Sequence, residues 1–232
     1  HEVVLKKEGD GKKKKKKKKK KGGHAITNAL RAVNISPDGK QIAAGFNCGW
    51  VEIFAYPGWE SLTVLKKRHQ WVSEIRYSPD GTLVAVGTHD NFIDIYDTTT
   101  FKCKGTCKGH SSYITHLDWS ECGNFLQTNC GAYELLFWNK EGQQQKSGGS
   151  QLKDTYWQTW SCVLGWPVEH IWAPCQDGTD INNVDRSHTM VDPKGEFCVA
   201  LGNDSREVRI LKYPARDDNK KNFEKKCRTY KG

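Results

Sequence analysis

The chain has 232 residues, of which 36% are hydrophobic and 11% aromatic, so it can form the core of one large domain or two small ones. It has no run of about 18 apolar residues, which argues against a transmembrane helix. The N-terminus lacks the apolar region of a signal peptide, which favours a cytosolic protein.

The formal net charge of +9 comes from a single tract. Residues 12–21 are ten consecutive lysines, and the other 26 basic residues nearly balance the 27 acidic ones. A block of like charges repels itself and buries nothing, so it does not fold alone. Two interpretations remain open: a solvated insertion or linker, or a segment that attracts polyanions such as acidic protein tails, RNA or a membrane surface.

The nine cysteines are scattered through strand-like segments, which is typical of free thiols in a reducing compartment. Cys103, Cys107 and His110 superficially resemble a metal site. No second pair of ligands follows at zinc-site spacing, so we expect neither a metal nor another cofactor.

A tight-turn motif recurs along the chain. SPDG begins at Ser36 and Ser78 and SECG at Ser120, so the three copies begin 42 residues apart, and a fourth copy, DPKG, begins at Asp192. Proline fixes φ at the first central position of such a turn, and glycine adopts conformations that other residues avoid. The regular spacing indicates a structural repeat.

Strand-like segments flank each turn. The predicted first strands are 32–35, 74–77, 116–119 and 189–191, and the second strands are 41–44, 83–86, 125–128 and 197–200. The predicted third strands are 50–54, 92–96, 134–138 and 207–211, and shorter fourth strands fit 63–65, 103–106 and 226–229. Four antiparallel strands per 40 to 45 residues are typical of a β-propeller blade.

The predicted fold is therefore an all-β propeller with about four blades. We expect an N-terminal segment at 1–23 that contains the lysine tract, and a partial propeller at 24–232. The expected blades are 24–66, 67–108, 109–150 and 186–232, with a tryptophan-rich insertion at 151–185. Four blades do not comfortably close such a ring, so we expect an incomplete ring from a larger, tandem-propeller protein.

The units resemble WD repeats. The second unit carries His69, Thr88, Asp90 and Tyr96 near the family's histidine, threonine, aspartate and tryptophan positions, and the third opens with Gly-His at His110. The resemblance implies a buried hydrogen-bond chain among these side chains, which must be fully satisfied to be worth burying. These residues are expected to stabilise the blades.

The insertion carries Trp157, Trp160, Trp166 and Trp172 within 16 residues. Such a cluster either packs over a blade face or forms a hot spot for a partner. Both interpretations remain open at this point.

Several strings together are similar to the echinoderm microtubule-associated protein-like family. They are WQTWSCV at 157–163, VEHIW at 168–172, TDINNVD at 179–185, HDNFIDIYD at 89–97 and CKGHSSYITHLDWS at 107–120. The resemblance covers about residues 24–213. It implies tandem propellers joined edge to edge, whose concave face is linked to tubulin.

The leading hypothesis is a non-enzymatic scaffold that binds tubulin in the microtubule lattice and meets other microtubule-associated proteins. Its expected place is the microtubule cytoskeleton of the cytoplasm, including the ciliary axoneme. The candidate contact residues are Lys66, Lys67, Arg68, Trp157, Trp160 and Trp166.

The alternative is a general WD-repeat adaptor that does not bind tubulin. Neither a membrane nor a specific nucleic acid is an expected partner, although the lysine tract would attract nucleic acid in a salt-dependent way. The sequence has no phosphate-binding glycine loop, nucleophile elbow or histidine-rich metal motif, which argues against an enzyme. Loop carboxylates such as Asp180 and Asp185 are expected to cap turns.

Overall fold

A computed structural model describes residues 28–172, 181–190, 196–216 and 228–231. Four antiparallel sheets contain the strands in these ranges. Two short helical segments interrupt the strands, an α-helical turn at Gly148–Gln151 and a 3₁₀ segment at Trp166–Ile171. Within the described ranges, no helix is both long and apolar enough to cross a membrane.

Each sheet is formed by strands that follow one another in the chain, and the sheets are numbered here in chain order. Sheet 1 contains β1 (Leu30–Ile35), β2 (Gln41–Phe46), β3 (Val51–Ala55) and β4 (Ser61–Leu65). Sheet 2 contains β5 (Val72–Tyr77), β6 (Leu83–Thr88), β7 (Phe92–Asp97) and β8 (Cys103–Lys108). Sheet 3 contains β9 (Ile114–Trp119), β10 (Phe125–Cys130) and β11 (Leu135–Asn139). Sheet 4 contains β12 (Ile181–Arg186), β13 (Phe197–Asn203), β14 (Glu207–Tyr213) and β15 (Arg228–Lys231).

The all-β propeller prediction is confirmed, but one strand was misplaced. The first strand of sheet 4 was predicted at 189–191, and this is wrong because Thr189 and Met190 lie outside any strand. The strand is β12 instead, which lies within the segment assigned to the insertion except for its last residue, Arg186. Its Ile181 and Val184 are buried, and a register shift between Ile181 and Asn183 obscures the alternation that identifies a strand. The turn at Asp192 lies outside the described residues.

The repeated turns connect the first and second strands of sheets 1 to 3. The backbone N–H groups of Gly39, Gly81 and Gly123 donate to the carbonyls of the serines three residues earlier, at 2.8 to 2.9 Å. The φ angles of these glycines lie between 69° and 72°, where a side chain would be strained. The turn motif therefore fixes each hairpin as predicted.

Each sheet has two distinct faces, because residues paired across neighbouring strands point to the same side. We call the side that meets the next sheet the forward face and the other side the rear face. In sheet 1 the forward face carries Ala32, Asn34, Ala43, Gly45, Val51 and Ile53. Its rear face carries Val33, Ile35, Ile42, Ala44, Phe54 and Val64.

The sheets stack forward face against rear face. One buried cluster joins the forward face of sheet 1 to the rear face of sheet 2, with Ala43, Val51, Ile53, Ile75, Tyr77, Val84, Val86 and Tyr96. A second joins sheet 2 to sheet 3, with Ala85, Ile93, Ile95, Leu117, Trp119, Leu126 and Trp138. β1 lies beside β5 and β5 beside β9, so the first strands are innermost, as in a propeller. Burying each large apolar side chain contributes about 1.5–3 kcal/mol.

Two glycines at equivalent positions allow this close approach. A Cβ atom at Gly45 would lie 2.4 Å from Cγ1 of Val72, and one at Gly87 would lie 2.8 Å from Cγ2 of Ile114. Both distances are too short for non-bonded carbon atoms, so the first strand of the following sheet fits only against glycine. The equivalent residue of sheet 3 is Asn129.

The forward face of sheet 3 meets the insertion. On β10, Gln127 and Asn129 replace the alanine and glycine of the earlier sheets. Leu164 N–H donates to Asn129 Oδ1 at 3.1 Å, so the insertion backbone lies where the next sheet would otherwise pack. The other side of the insertion meets sheet 4 in a buried cluster that includes Trp157, Trp160, Val168, Ile171, Val184, Val199 and Leu201.

The described sheets form an incomplete ring whose two end faces are partly exposed. On the rear face of sheet 1, Val33 and Ile35 of the first strand are 58% and 57% exposed, whereas Ile42 and Phe54 are buried. On the forward face of sheet 4, Val208 is 48% exposed, and a Cβ atom at Gly202 would meet no atom within 4 Å among the described residues. Exposed apolar patches of this kind promote association between proteins.

We therefore expect the isolated chain to self-associate through the exposed parts of its two end faces. Val33→Lys combined with Ile35→Lys should shift the chain towards monomer, because two charges would have to be buried in the contact. Sedimentation velocity over a range of protein concentrations measures this shift. Thr99→Lys with Gln151→Lys, which adds the same charge at exposed polar positions, is the matched control. Equal effects of the two pairs would contradict the prediction.

Candidate interaction surface

The sheet registers define two edges of the molecule. Leu30 pairs with Phe46, and Val51 pairs with Leu65. The turn between the second and third strands of a sheet therefore lies at the same edge as the link to the next sheet. We call this edge the upper edge. The lower edge carries the first-to-second and third-to-fourth turns. Loops at such edges are where rigid scaffolds usually place binding residues.

The predicted contact residues Lys66, Lys67 and Arg68 lie on the upper edge, in the link between sheets 1 and 2. Lys67 Nζ donates to Asp94 Oδ1 at 2.7 Å, and Arg68 donates to the same carboxylate through Nε at 2.6 Å and Nη2 at 2.9 Å. Asp94 is buried on β7. Lys66 is exposed instead, with its Nζ 4.2 Å from the centre of the Trp50 ring. Of the three, Lys66 alone presents its charge outward.

The environment of Asp94 explains why it stays ionised. Burial would raise the pKa of this carboxyl, but hydrogen bonds from Arg68, Lys67 and Thr106 outweigh burial and hold the pKa below its ordinary value. Because their charges are neutralised within sheet 2, Lys67 and Arg68 contribute more to the fold than to a partner.

A hydrogen-bond chain of the WD-repeat type forms in sheet 3. His110 Nε2 lies 2.7 Å from Thr128 Oγ1, and Trp138 Nε1 donates to the same hydroxyl at 2.8 Å. His110 Nδ1 lies 3.2 Å from Glu134 Oε2. Burial lowers the pKa of His110, although Glu134 opposes that shift. Hydrogen bonds led by Ser111 N–H lower the pKa of Glu134 to about 2.

The chain predicted for sheet 2 forms only in part. Thr88 Oγ1 donates to Asp90, and Tyr96 is buried. His69 was expected to complete this chain, but its side chain is exposed and so cannot serve as a buried member. Arg68, the preceding residue, contacts Asp90 instead through Nη1 at 3.5 Å. The sequence signal at His69 was misleading because the neighbouring Arg68 provides a stronger partner for two carboxylates.

Among the residues that the structure describes, one group of potential metal ligands converges. The ligand atoms of His110, Cys130 and Glu134 lie within 4.8 Å of one another. Cys130 Sγ donates to Glu134 Oε2 at 3.1 Å, and Ser111 N–H donates to the same oxygen at 2.9 Å. The carboxylate already accepts these bonds, so the stabilising chain of sheet 3 accounts for the group without a metal.

The tryptophans of the insertion separate into two kinds. Trp157 and Trp160 are 4% and 2% exposed, whereas Trp166 is 50% exposed. The prediction that Trp157 and Trp160 contact a partner is therefore wrong for this structure, because both fill the space between sheets 3 and 4. Trp166 remains available at the surface, with Arg216 Cζ 5.5 Å from its ring centre.

The insertion is held by a buried carboxylate that the sequence analysis did not single out. Asp118 on β9 is fully buried. Its Oδ1 accepts from Thr159 Oγ1 at 2.6 Å and Ser161 N–H at 2.9 Å, and its Oδ2 accepts from Cys162 N–H at 3.0 Å. These donors stabilise the buried charge. The sequence does carry a signal for this site. Gln127 and Asn129, on the strand beside Asp118, stand where sheets 1 and 2 have alanine and glycine.

A cavity of about 360 Å³ lies among sheets 2, 3 and 4, lined in part by Glu74, Arg76, His116 and Asp185. Arg76 Nε lies 3.1 Å from Glu74 Oε1, and burial still raises the pKa of Glu74 to about 7. The potential metal ligands of the lining do not converge into a group of three among the described residues. Among the charged side chains of the lining, Glu74 and Arg76 pair with each other.

The chain matches the family model described as the echinoderm microtubule-associated protein second beta-propeller over residues 12–232. It is 40% identical over 188 residues to echinoderm microtubule-associated protein-like 3 of Homo sapiens, which covers 77% of this chain and 20% of that protein. It is 36% identical over 194 residues to the 77 kDa echinoderm microtubule-associated protein of Lytechinus variegatus, which covers 82% of this chain and 28% of that protein. The chain thus spans between a fifth and a third of the length of these two relatives.

Among solved structures, the chain is similar to the WD40 repeats of RRP9. The TM-score is 0.52 at 15% sequence identity, with 90% of this chain and 53% of that chain covered. This likeness shows the WD-repeat propeller fold.

Thr128→Val should destabilise the protein by about 2–4 kcal/mol, because the buried His110 and Trp138 both lose their shared partner. Chemical denaturation measures the free energy of unfolding. Thr99→Val, which removes an exposed hydroxyl, should change it by less than about 0.5 kcal/mol. A loss below about 1 kcal/mol for Thr128→Val would show that the chain in sheet 3 contributes little.

Asp118→Ala should cost about 3–5 kcal/mol, because several buried donors lose their acceptor together. Hydrogen exchange should show lost protection at the amides of Ser161 and Cys162 before the sheets open. Asp154→Ala removes an exposed carboxylate of the same insertion and should leave both amides protected. Unchanged protection in the Asp118 variant would mean that packing alone holds the insertion.

Proposed function

Since the chain belongs to the echinoderm microtubule-associated protein family, we propose that it forms part of a non-enzymatic scaffold that binds the microtubule lattice. The observation that carries the proposal is the family match over residues 12–232, together with relatives named as microtubule-associated. The proposed place of action is the microtubule cytoskeleton of the cytoplasm, including the ciliary axoneme.

The stacked sheets provide a physical basis for this function. Buried clusters join sheet 1 to sheet 2, sheet 2 to sheet 3, and sheet 3 through the insertion to sheet 4. A scaffold whose surface is ordered before binding loses less conformational entropy on contact. A filament repeats its sites, so many weak contacts from a longer protein add up to stable attachment.

The proposed contacts combine a general attraction with one local charge. The ten lysines at 12–21 attract an acidic polymer from any direction. Lys66 on the upper edge has no carboxylate oxygen within 4.0 Å of its Nζ among the described residues, so its charge is available to a partner. The exposed ring of Trp166 is a further candidate.

Co-sedimentation with polymerised tubulin tests the proposal at physiological ionic strength. The full chain should pellet with the polymer. Replacing the tract, Lys12→Ser through Lys21→Ser, should weaken binding by about threefold to tenfold, and adding Lys66→Glu should weaken it by a similar factor. Lys102→Glu, at an exposed position on the lower edge, should have less than about a twofold effect.

A chain that stays in the supernatant would contradict direct lattice binding. If the longer parent protein also failed to pellet, a general WD-repeat adaptor would replace the microtubule scaffold as the function. Loss of all binding on replacing the tract would mean that the propeller surface itself makes no contact.

A further inference from the structure

The 42-residue repeat places aromatic residues at equivalent points of the upper edge. In each of sheets 1 to 3, a residue just before the first strand accepts a hydrogen bond through its backbone carbonyl. The donor is a backbone N–H in the turn that joins the second and third strands of the same sheet. His89 N–H donates to Trp71 O at 2.8 Å, and Gly131 N–H donates to Tyr113 O at 2.9 Å. Sheet 1 has the same bond, from Asn47 N–H to Ala29 O at 3.0 Å. The backbone therefore fixes where these side chains emerge.

Four of these upper-edge side chains form a continuous stack, which we call the aromatic ladder: Arg31, Trp71, His89 and Tyr113. Arg31 Cζ lies 3.9 Å from the centre of the Trp71 ring. The rings of Trp71 and His89 are 5.3 Å apart, and those of His89 and Tyr113 are 4.7 Å apart and tilted by only 27°. The ladder thus crosses sheets 1, 2 and 3 without a break.

The ladder is held in place but remains accessible. Trp71 and Tyr113 are 43% and 44% exposed. A Cβ atom at Gly131 would lie 2.6 Å from the Tyr113 ring, so this glycine makes the room in which the ring lies. Ordered, half-exposed aromatic side chains are typical of binding hot spots, because little conformational entropy remains to be lost.

The ladder presents positive charge to a partner. Trp71 and His89 each stack on two neighbours, so they offer mainly ring edges, which carry partial positive charge. Burial and the nearby Arg31 lower the pKa of His89, so the full positive charge of the ladder belongs to Arg31. Within the described ranges, no carboxylate oxygen lies within 4.0 Å of the Arg31 side-chain nitrogens.

The upper edge carries a second outward cation, Lys66, which is stacked on Trp50. Among the nearby acids, Asp90 and Asp94 are paired with Arg68 and Lys67. Glu134 accepts from neutral donors, Ser111 N–H and Cys130 Sγ, so its carboxylate stays negative beside Tyr133 in the sequence. The positive end of the ladder is therefore at Arg31, and this is where an acidic partner would meet a cation that is not neutralised.

From these observations we infer that the aromatic ladder is a docking site for an acidic, extended peptide segment. The spacings within the ladder limit its length to about 14 Å, which matches about four residues of extended chain. A carboxylate of the peptide binds the guanidinium of Arg31, and the following residues lie along the ring edges. The site goes beyond the proposed function, because it stands whether or not the chain binds microtubules.

The stacking disfavours single-stranded nucleic acid as the ligand. Bases bind such platforms by stacking on free ring faces. In the ladder the faces of Trp71 and His89 are largely taken up by their neighbours. The acidic peptide is therefore the better match to what the surface exposes.

Fluorescence anisotropy with a labelled peptide of ten glutamates tests the inference. The measurement uses the full chain with Lys12→Ser through Lys21→Ser, so that the tract does not bind the probe. Arg31→Gln combined with Trp71→Ala should weaken binding at least tenfold, by loss of the charge and of the stack that orients it. Lys102→Gln with Trp59→Ala is the matched control, since it removes a cation and a 47% exposed tryptophan from the lower edge.

Arg31→Glu alone is a second variant, at an exposed residue whose exchange should leave the fold intact. It should reduce peptide binding at least as much as the double variant. Circular dichroism and thermal unfolding verify the fold of each protein. Unchanged affinity in both ladder variants, an equal loss in the control, or tighter binding of an oligothymidylate probe through the same residues would each overturn the inference.

Discussion

The architecture of this protein depends on the requirement that each sheet bury its faces against its neighbours. A four-stranded sheet carries apolar residues on both sides and cannot cover either by itself. Stacking forward face on rear face solves this, and Gly45 and Gly87 make it sterically possible by allowing the next first strand to approach. The edges of the stack are then free to carry side chains for binding, as the charges of the upper edge illustrate.

The fold could be predicted from sequence because the repeat fixes both turn and strand positions. Glycine turns 42 residues apart, between alternating apolar segments, leave little choice of architecture. The misplaced strand has a local cause: β12 contains a register shift, and its exposed Asn182, Asn183 and Asp185 hide the pattern. Beyond the three evenly spaced turns, a strand has to be identified from its own residues alone, and β12 shows how this fails.

The candidate site was less predictable because side-chain partners depend on tertiary contacts. The sequence placed Lys66, Lys67 and Arg68 together, but it could not show that Asp94 and Asp90 together pair with two of them. It marked the insertion tryptophans without distinguishing buried Trp160 from exposed Trp166. A comparison of equivalent positions would have revealed the polar forward face of sheet 3, since Gln127 and Asn129 depart there from alanine and glycine.

The two end faces of the incomplete ring are unlike each other, and this gives the molecule a direction. The forward face of sheet 4 repeats that of sheet 1: Ala200, Gly202, Val208 and Ile210 stand where Ala43, Gly45, Val51 and Ile53 bind sheet 2. The rear face of one chain is therefore suited to the forward face of another chain, and not to a second rear face. Any joint made this way is heterologous, so it adds units head to tail with a fixed rotation and cannot produce a two-fold symmetric pair.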